Sequence, residues 1–266
     1  MKIGFIGCGK MGQAILEGIL SSGAHRKEDV IISAKTESTL TTIKNKYHVF
    51  VTQDNTQVGR EADLLFLAIK PELHQQVIEE IRDFVKTSAI VITMAAGINI
   101  EFVEKAFNKE TKIFRTMPNT PSLVREGTTA VCYNDLVSKE DCKRVENLLS
   151  SIGRVEFIPE FLMDSIPSIS GSSPAYVYMM IEALADGGVK QGIPREQAYR
   201  LAASSVLGAA KMVLETMEHP GALKDQVCTP GGATIEAVAE LEKTGFRSSI
   251  LSAMEKCTEK VKKLSR

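Results

Sequence analysis

The sequence has almost no charge imbalance: 32 basic residues face 33 acidic ones, and no basic block stands out. Nucleic acid and anionic membrane surfaces demand clustered Lys and Arg, so neither is expected as a partner. No uninterrupted apolar segment is long enough to span a bilayer. The N-terminus enters its first apolar run at once, which leaves no room for a signal peptide and leads to the expectation of a cytoplasmic protein. Cysteine is sparse and irregularly placed. Its five positions, 8, 132, 142, 228 and 257, include no closely spaced metal-type pair, and their odd number argues against a closed disulfide framework. Reduced thiols are the simplest reading. The four histidines are scattered and form no ligand constellation, so no metal site is expected. What the chain does have is 44% hydrophobic residues over 266 positions, enough for a real core in one large or two ordinary domains.

The organising stretch is at the start. Ile3, Phe5 and Ile6 form an apolar run that stops at Gly7, Cys8, Gly9, Lys10, Met11 and Gly12, which open a helical pattern through Ile15, Ile19 and Leu20. In a strand, glycine turn and helix of this kind, Gly7 permits the tight turn and Gly9 lets a pyrophosphate approach the backbone. Gly12 lets the helix sit close to the strand, and the helix start supplies amides and positive potential to the anion. An ordinary turn rich in small residues is the bland alternative; the position directly between strand and helix speaks against it. Cys8 has no base near it in sequence and reads as a small filler.

A second strand is expected over Val30–Ser33, and no Asp or Glu closes it. An acidic residue there would accept from the ribose hydroxyls of NAD, whereas Ser33, Lys35 and Thr36 offer donors and a positive charge to a 2′-phosphate. NADPH is thus favoured over NADH, which stays open. A solvated loop lysine is the plainer reading of Lys35. Residues 64–69 and Ile90–Thr93 are continuous apolar runs suited to parallel strands buried on both faces. The stripe of Leu73, Val77, Ile78 and Ile81 supplies a helix between them, giving the alternation of a doubly wound sheet. Ligands lie beyond the carboxyl ends of such strands, which puts Ala68, Lys70 and Pro71, and likewise Ala95, Ala96 and Gly97, on the cofactor side.

Residues 112–115 read as a further strand, followed by a loop that Pro118 and Pro121 make rigid. Strand-forming residues at 128–133, a helix over Lys139–Leu149 and a strand at 155–158 complete a first domain, with its boundary near Glu160. The expected domains are thus 1–160 and 161–266. The second is helical throughout. Residues 175–189 are nearly all apolar or small and residues 201–210 carry no charge, so each reads as a helix buried on every side. A domain of this size has little interior for two such helices, which predicts cover by a partner subunit, with Ala202, Ser205, Gly208 and Ala209 letting helices approach closely. Glu182, Asp186 and Lys190 share a helix edge, where an internal ion pair is expected. The last helix carries one apolar stripe, Ile250, Met254, Cys257, Val261 and Leu264. An intertwined helical dimer, at minimum, is the expectation.

Between these helices lies Cys228-Thr229-Pro230-Gly231-Gly232-Ala233-Thr234-Ile235, followed by Glu240-Leu241-Glu242 and Gly245-Phe246-Arg247. Taken with the opening glycine motif, the Lys70-Pro71 turn, Asn119-Thr120-Pro121, the run from Ser170 through Tyr176, residues 185–190 and His219-Pro220-Gly221, this chain closely resembles pyrroline-5-carboxylate reductases over its whole length. The resemblance implies a Rossmann dinucleotide-binding domain followed by an all-α dimerisation domain, and reduction of the cyclic imine 1-pyrroline-5-carboxylate to proline with NAD(P)H. It makes Gly231, Gly232, Ala233 and Thr234 the substrate loop, with Thr234 as the catalytic hydroxyl at the ring nitrogen. It gives Asn119 to the nicotinamide and substrate, and Asn55 to the adenosine side of the cofactor.

A glycine-permitted turn opening a helix presents free amides to an anion whatever the family. From the residues alone, Thr234 reads as a helix N-cap. Two departures stand out: Lys35 occupies a place where arginine is frequent, losing a planar phosphate grip, and Ser172-Ser173 replaces a pair that usually contains glycine. Two other readings share the opening motif. A β-hydroxyacid dehydrogenase would rely on a lysine in that family's own glycine-rich setting, in which neither Lys190 nor Lys211 sits, and a non-catalytic NADP-responsive binding protein would not need residues 231–234.

Overall fold

The computed structural model describes residues 1–264. The side chain of Leu264, last in the expected terminal stripe, and residues 265–266 of the expected second domain lie outside the described residues. The chain forms two compact units, one comprising residues 1–171 with the chain from Cys257 onward, the other Ser172–Lys256.

The first unit alternates strands and helices in the order β1 (Ile3–Ile6), α1 (Lys10–Ser21), β2 (Val30–Ser33), α2 (Glu37–Tyr47), β3 (Phe50–Thr52), α3 (Asn55–Glu61), β4 (Leu64–Leu67), α4 (His74–Ile81), β5 (Ile90–Thr93), α5 (Ile100–Phe107), β6 (Lys112–Met117), β7 (Gly127–Tyr133), α6 (Lys139–Leu149) and β8 (Gly153–Phe157). They make one sheet in the order β3-β2-β1-β4-β5-β6-β7-β8. Strands β1 to β6 pair in parallel, β7 runs antiparallel to β6, and β8 is parallel to β7. This is the expected doubly wound sheet, extended by a reversed pair. The four residues of β1, β2, β4 and β5 are buried throughout, as continuous apolar runs require when helices cover both faces.

Each face has its own core. On one, Val58, Ile78, Ile81, Val103 and Phe107 bring α3, α4 and α5 onto the sheet; on the other, Ile15, Ile19, Ile43, Val145 and Leu148 bring α1, α2 and α6. Phe5 and Phe66, register partners on β1 and β4, stack at 4.7 Å on the second face. Complete burial of such a side chain contributes about 1.5–3 kcal/mol. Local signals set the helix boundaries. Ser138 and Asp141 form a reciprocal capping box at the start of α6, Asn99 caps α5, and Asp54 accepts from the Thr56 amide at 2.8 Å to cap α3. At the other ends, α2 and α5 close on His48 and Asn108, both with left-handed backbones.

The second unit contains α7 (Ser173–Lys190), α8 (Arg195–Thr216), α9 (Pro220–Val227), α10 (Ala233–Lys243) and the greater part of α11 (Phe246–Leu264). Helices α7 and α8 pack as a hairpin in which Ala198 lies against Gly188, and α8 closes on Met217, again left-handed. The expectation that these helices are buried on every side does not hold for the single chain. Among the described residues only Ala185 of α7 and Ala198 and Ala202 of α8 are buried. Tyr178, Met179, Leu201 and Leu207 are all more than half exposed. The ion pair expected along the edge of α7 also forms differently: Asp186 pairs with Arg195 at the start of α8, because the hairpin brings that guanidinium alongside.

Candidate active site

The order of the sheet reverses direction between β1 and β4, which opens a crevice at the carboxyl ends of both strands. Gly7 stands at this point with a φ of 77°, its amide donating to the Ser33 carbonyl at 2.8 Å. A Cβ on Gly7 would lie 2.6 Å from the carbonyl oxygen of Ala68, so the ends of β1, β2 and β4 converge on a residue that must be glycine. Gly12 is buried, and a Cβ there would meet that of Ala68 at 3.2 Å; helix α1 is pressed against the strand end as expected. Gly9 is the opposite case, with nothing within 4 Å of its added Cβ. It heads α1 with no side-chain cap, followed by exposed Lys10, while Met11 packs partly into the core. An uncapped helix start behind a bare glycine suits a pyrophosphate. Cys8 is buried here, and burial pushes its thiol up to about 12, which makes it the inert filler the sequence suggests.

At the end of β2 the expected phosphate donors divide. Lys35 is exposed and available. Ser33 is fully buried, and its hydroxyl donates to Asn55 Oδ1 at 2.7 Å, so it anchors Asn55 and does not itself reach outward. Thr36 caps α2, its oxygen accepting from the Thr39 amide. Asn55 in turn donates from Nδ2 to Glu80 Oε2 at 3.0 Å. Its amide is thereby oriented with oxygen inward and nitrogen outward, and one N–H remains unassigned by these two bonds.

The loops after β4 and β5 are tied by a residue that the sequence pattern hides. His74 is fully buried; its Nδ1 lies 3.1 Å from the Lys70 carbonyl and its Nε2 lies 3.0 Å from Thr93 Oγ1. The expected apolar stripe placed Leu73 inward, but the structure leaves Leu73 exposed and gives its slot to His74, which shares a face with Val77, Ile78 and Ile81. A histidine at that spacing was the available signal. Lys70, Pro71 and Ala96 are exposed on the rim, Ala68 is partly so, Ala95 is buried, and Gly97 has a φ of 79°.

Asn119, expected at the nicotinamide and substrate, has a buried side chain that accepts from the Thr128 amide at 2.9 Å and donates to the Ser170 carbonyl at 3.0 Å. A side-chain amide engaged at both ends braces the β6–β7 loop. Arg115, also unremarked in sequence, is buried in β6 and pairs with Glu160 and with Asp164 at 2.7 Å, holding the segment after β8 against the sheet.

In the helical unit, residues 231–234 form a separate anion-ready turn. Gly231 adopts a φ of 69°, and the amide of Gly232 donates to the Thr229 carbonyl at 3.0 Å. Gly232 is the N-cap of α10 and makes no side-chain cap bond. Thr234 therefore sits at the second helical position and is not the cap that the residues alone suggested; its side chain is exposed. The first amides of α10, from Ala233 onward, have no acceptor within the helix.

Comparison with known proteins identifies the family. A family model described as pyrroline-5-carboxylate reductase dimerisation matches residues 160–264, and one described as NADP oxidoreductase, coenzyme F420-dependent, matches residues 2–97. The pyrroline-5-carboxylate reductase of Escherichia coli (strain K12) is 45% identical over 265 residues, covering 100% of this chain and 98% of the relative. Pyrroline-5-carboxylate reductase 2 of Bos taurus is 44% identical, covering 96% of this chain and 81% of its own length. Among solved structures, that of the Coxiella burnetii pyrroline-5-carboxylate reductase superposes with a TM-score of 0.92 at 34% identity, covering 100% of this chain and 98% of that one. That of Plasmodium falciparum pyrroline carboxylate reductase with NADP bound gives 0.89, also at 34% identity, with coverage of 100% and 98%. Sequence and fold thus converge, and the chain belongs to the pyrroline-5-carboxylate reductase family.

Proposed function

We propose that this protein reduces 1-pyrroline-5-carboxylate to L-proline with NADPH, NADH serving as a second donor, and so completes proline biosynthesis. The observation that carries the reading is the pair of uncapped helix starts, α1 behind Gly7 and Gly9 and α10 behind Gly231 and Gly232, in a chain 45% identical to a relative of that name. Bound NADPH supplies the hydride. The chain's own groups do the rest: α1 holds the pyrophosphate, Asn55 and Lys35 take the adenosine end, and the loops of Ala68, Lys70, Pro71, Ala95, Ala96 and Gly97 support the nicotinamide half. The turn of Gly231 and Gly232 offers the amides of Ala233 and Thr234 to the substrate carboxylate, and the Thr234 hydroxyl addresses the ring nitrogen, following charge as it leaves that atom. An imine in its protonated form accepts hydride readily, so positioning supplies most of the acceleration.

The working unit is a homo-oligomer, at least an intertwined dimer in which the bare apolar sides of α7 and α8 are covered; the dimerisation model matched over residues 160–264 supports this. The same match, beginning at residue 160, supports a boundary between domains 1–160 and 161–266. A cytoplasmic location is in keeping with the thiols of Cys8, Cys132, Cys142 and Cys228, none of which is in a disulfide. No helix among the described residues is long and apolar enough to cross a membrane. The deciding experiment mixes purified protein with 1-pyrroline-5-carboxylate and NADPH and follows the nicotinamide absorbance. Loss of the reduced band with formation of proline is expected; no oxidation would reject the reading in favour of a β-hydroxyacid dehydrogenase or a non-catalytic NADP-binding protein.

A further inference from the structure

The end of β2 lacks the carboxylate that an NAD-specific crevice places there, but the structure brings one in from another element. Glu80, on the last turn of α4, accepts from Asn55 Nδ2 at 3.0 Å, and Asn55 is itself fastened to Ser33, the terminal residue of β2, at 2.7 Å. In a doubly wound sheet the adenosine ribose lies beyond that strand end. Ser33, Asn55 and Glu80 therefore form a relay running from the buried strand to the surface, with a carboxylate as its outer member.

We propose that Glu80 is a cofactor-specificity residue that sets how strongly the protein prefers NADPH over NADH; the inference rests on the dinucleotide reading of the crevice given above. The chemistry of the two ribose substituents differs where Glu80 stands. A carboxylate accepts a hydrogen bond from the 2′-hydroxyl of NADH, whereas a 2′-phosphate carries only acceptors and a like charge, so it is repelled. Lys35 acts in the opposite sense as an exposed cation two positions beyond Ser33, the residue that anchors Asn55. The preference is then a contest between Lys35 and Glu80 in a crevice without an arginine fork. The orienting role of Glu80 is secondary to its charge: Ser33 already fixes the oxygen of Asn55, so the amide keeps its direction when Glu80 is replaced by a neutral acceptor.

The test is Glu80→Gln in the full-length protein, with NADPH and NADH affinities measured directly by nicotinamide fluorescence titration, and kcat/KM for each donor measured beside them. Glu80 is exposed, and the glutamine carbonyl can still accept from Asn55, so the fold is retained. The ratio of NADH to NADPH dissociation constants is expected to rise at least fivefold, and the change to shrink at high salt. Glu79→Gln removes the same charge from the neighbouring exposed position, where the carboxylate is bonded to Gln75 and not to Asn55. It is expected to move the ratio less than twofold. A ratio unchanged in Glu80→Gln, or moved equally by Glu79→Gln, overturns the proposal. Its failure is distinguishable from failure of the functional reading, which would appear as absence of imine reduction in the unmodified protein.

Discussion

His74 and Thr93 meet across the interior of the first unit, Nε2 to Oγ1 at 3.0 Å, and through them the loop after β4 is fastened to the end of β5. Because the Lys70 carbonyl can only accept, Nδ1 carries the proton and the Thr93 hydroxyl donates to Nε2. Thr116 extends the chain by donating to the Thr93 carbonyl at 3.0 Å. Replacement of His74 by Phe leaves a buried hydroxyl and a carbonyl without it, and each such group costs about 1–3 kcal/mol. Thr93→Val removes only one of the two bonds and should show the smaller loss in urea unfolding.

The same histidine predicts a pH dependence. Burial lowers its pKa below the ordinary 6.5, against a weaker opposing effect from backbone groups at Lys70 and Pro71. Below 6.5 the unfolded chain therefore takes up a proton that the folded chain refuses. Stability is complete above that value and declines as pH falls toward the depressed folded pKa. The difference in stability between pH 7.5 and pH 5 should be smaller in His74→Phe than in the unmodified protein, measured by the same unfolding titration.

Gly7 and Gly9 should respond oppositely to alanine. Gly7→Ala forces a side chain into a left-handed backbone and 2.6 Å from the Ala68 carbonyl, so a destabilisation of at least about 2 kcal/mol is expected. Gly9→Ala has ordinary backbone angles and open space, so its unfolding midpoint should hold while NADPH binding weakens tenfold or more. Calorimetric unfolding with a fluorescence titration separates the two.

Thr234→Ala should lower turnover severalfold to a hundredfold by losing a hydrogen bond that tightens as charge leaves the ring nitrogen. The side chain is exposed and is not the cap of α10, so the unfolding midpoint should not follow. Steady-state kinetics at saturating NADPH check this, and unchanged turnover would leave Thr234 without a chemical role.

Sedimentation at micromolar concentration should show a dimer or larger species. Met179 and Leu207 are 69% and 63% exposed in the single chain, and burying each contributes about 1.5–3 kcal/mol. Charged replacements, Met179→Glu or Leu207→Glu, should shift the boundary toward monomer; a monomeric unmodified protein would contradict the assembly.

Much of this architecture was legible because it is written in contiguous words. The runs at β1, β4 and β5 are buried on both faces and need no partner to be recognised, and Ser138 announces α6 through its own cap. Strand β3 carries no such signal: three residues long, at the sheet edge, with Phe50 54% exposed, it has neither the length nor the alternation by which a strand is recognised. Asp186 was expected to pair along its own helix, since spacing reveals neighbours at four residues but not the Arg195 that a hairpin supplies. Asn119 shows the other boundary of such reading. A motif identifies the residue, but which way its amide turns depends on Thr128 and Ser170, and no local pattern records that.

Helices α2 and α8 end on His48 and Met217, side-chain-bearing residues at φ values of 54° and 58°. Each conformation carries about 1–2 kcal/mol of strain that glycine would not. Hardening this enzyme against heat can thus begin at two helix ends that lie outside its glycine turns, with His48→Gly and Met217→Gly each raising the melting temperature by a few degrees.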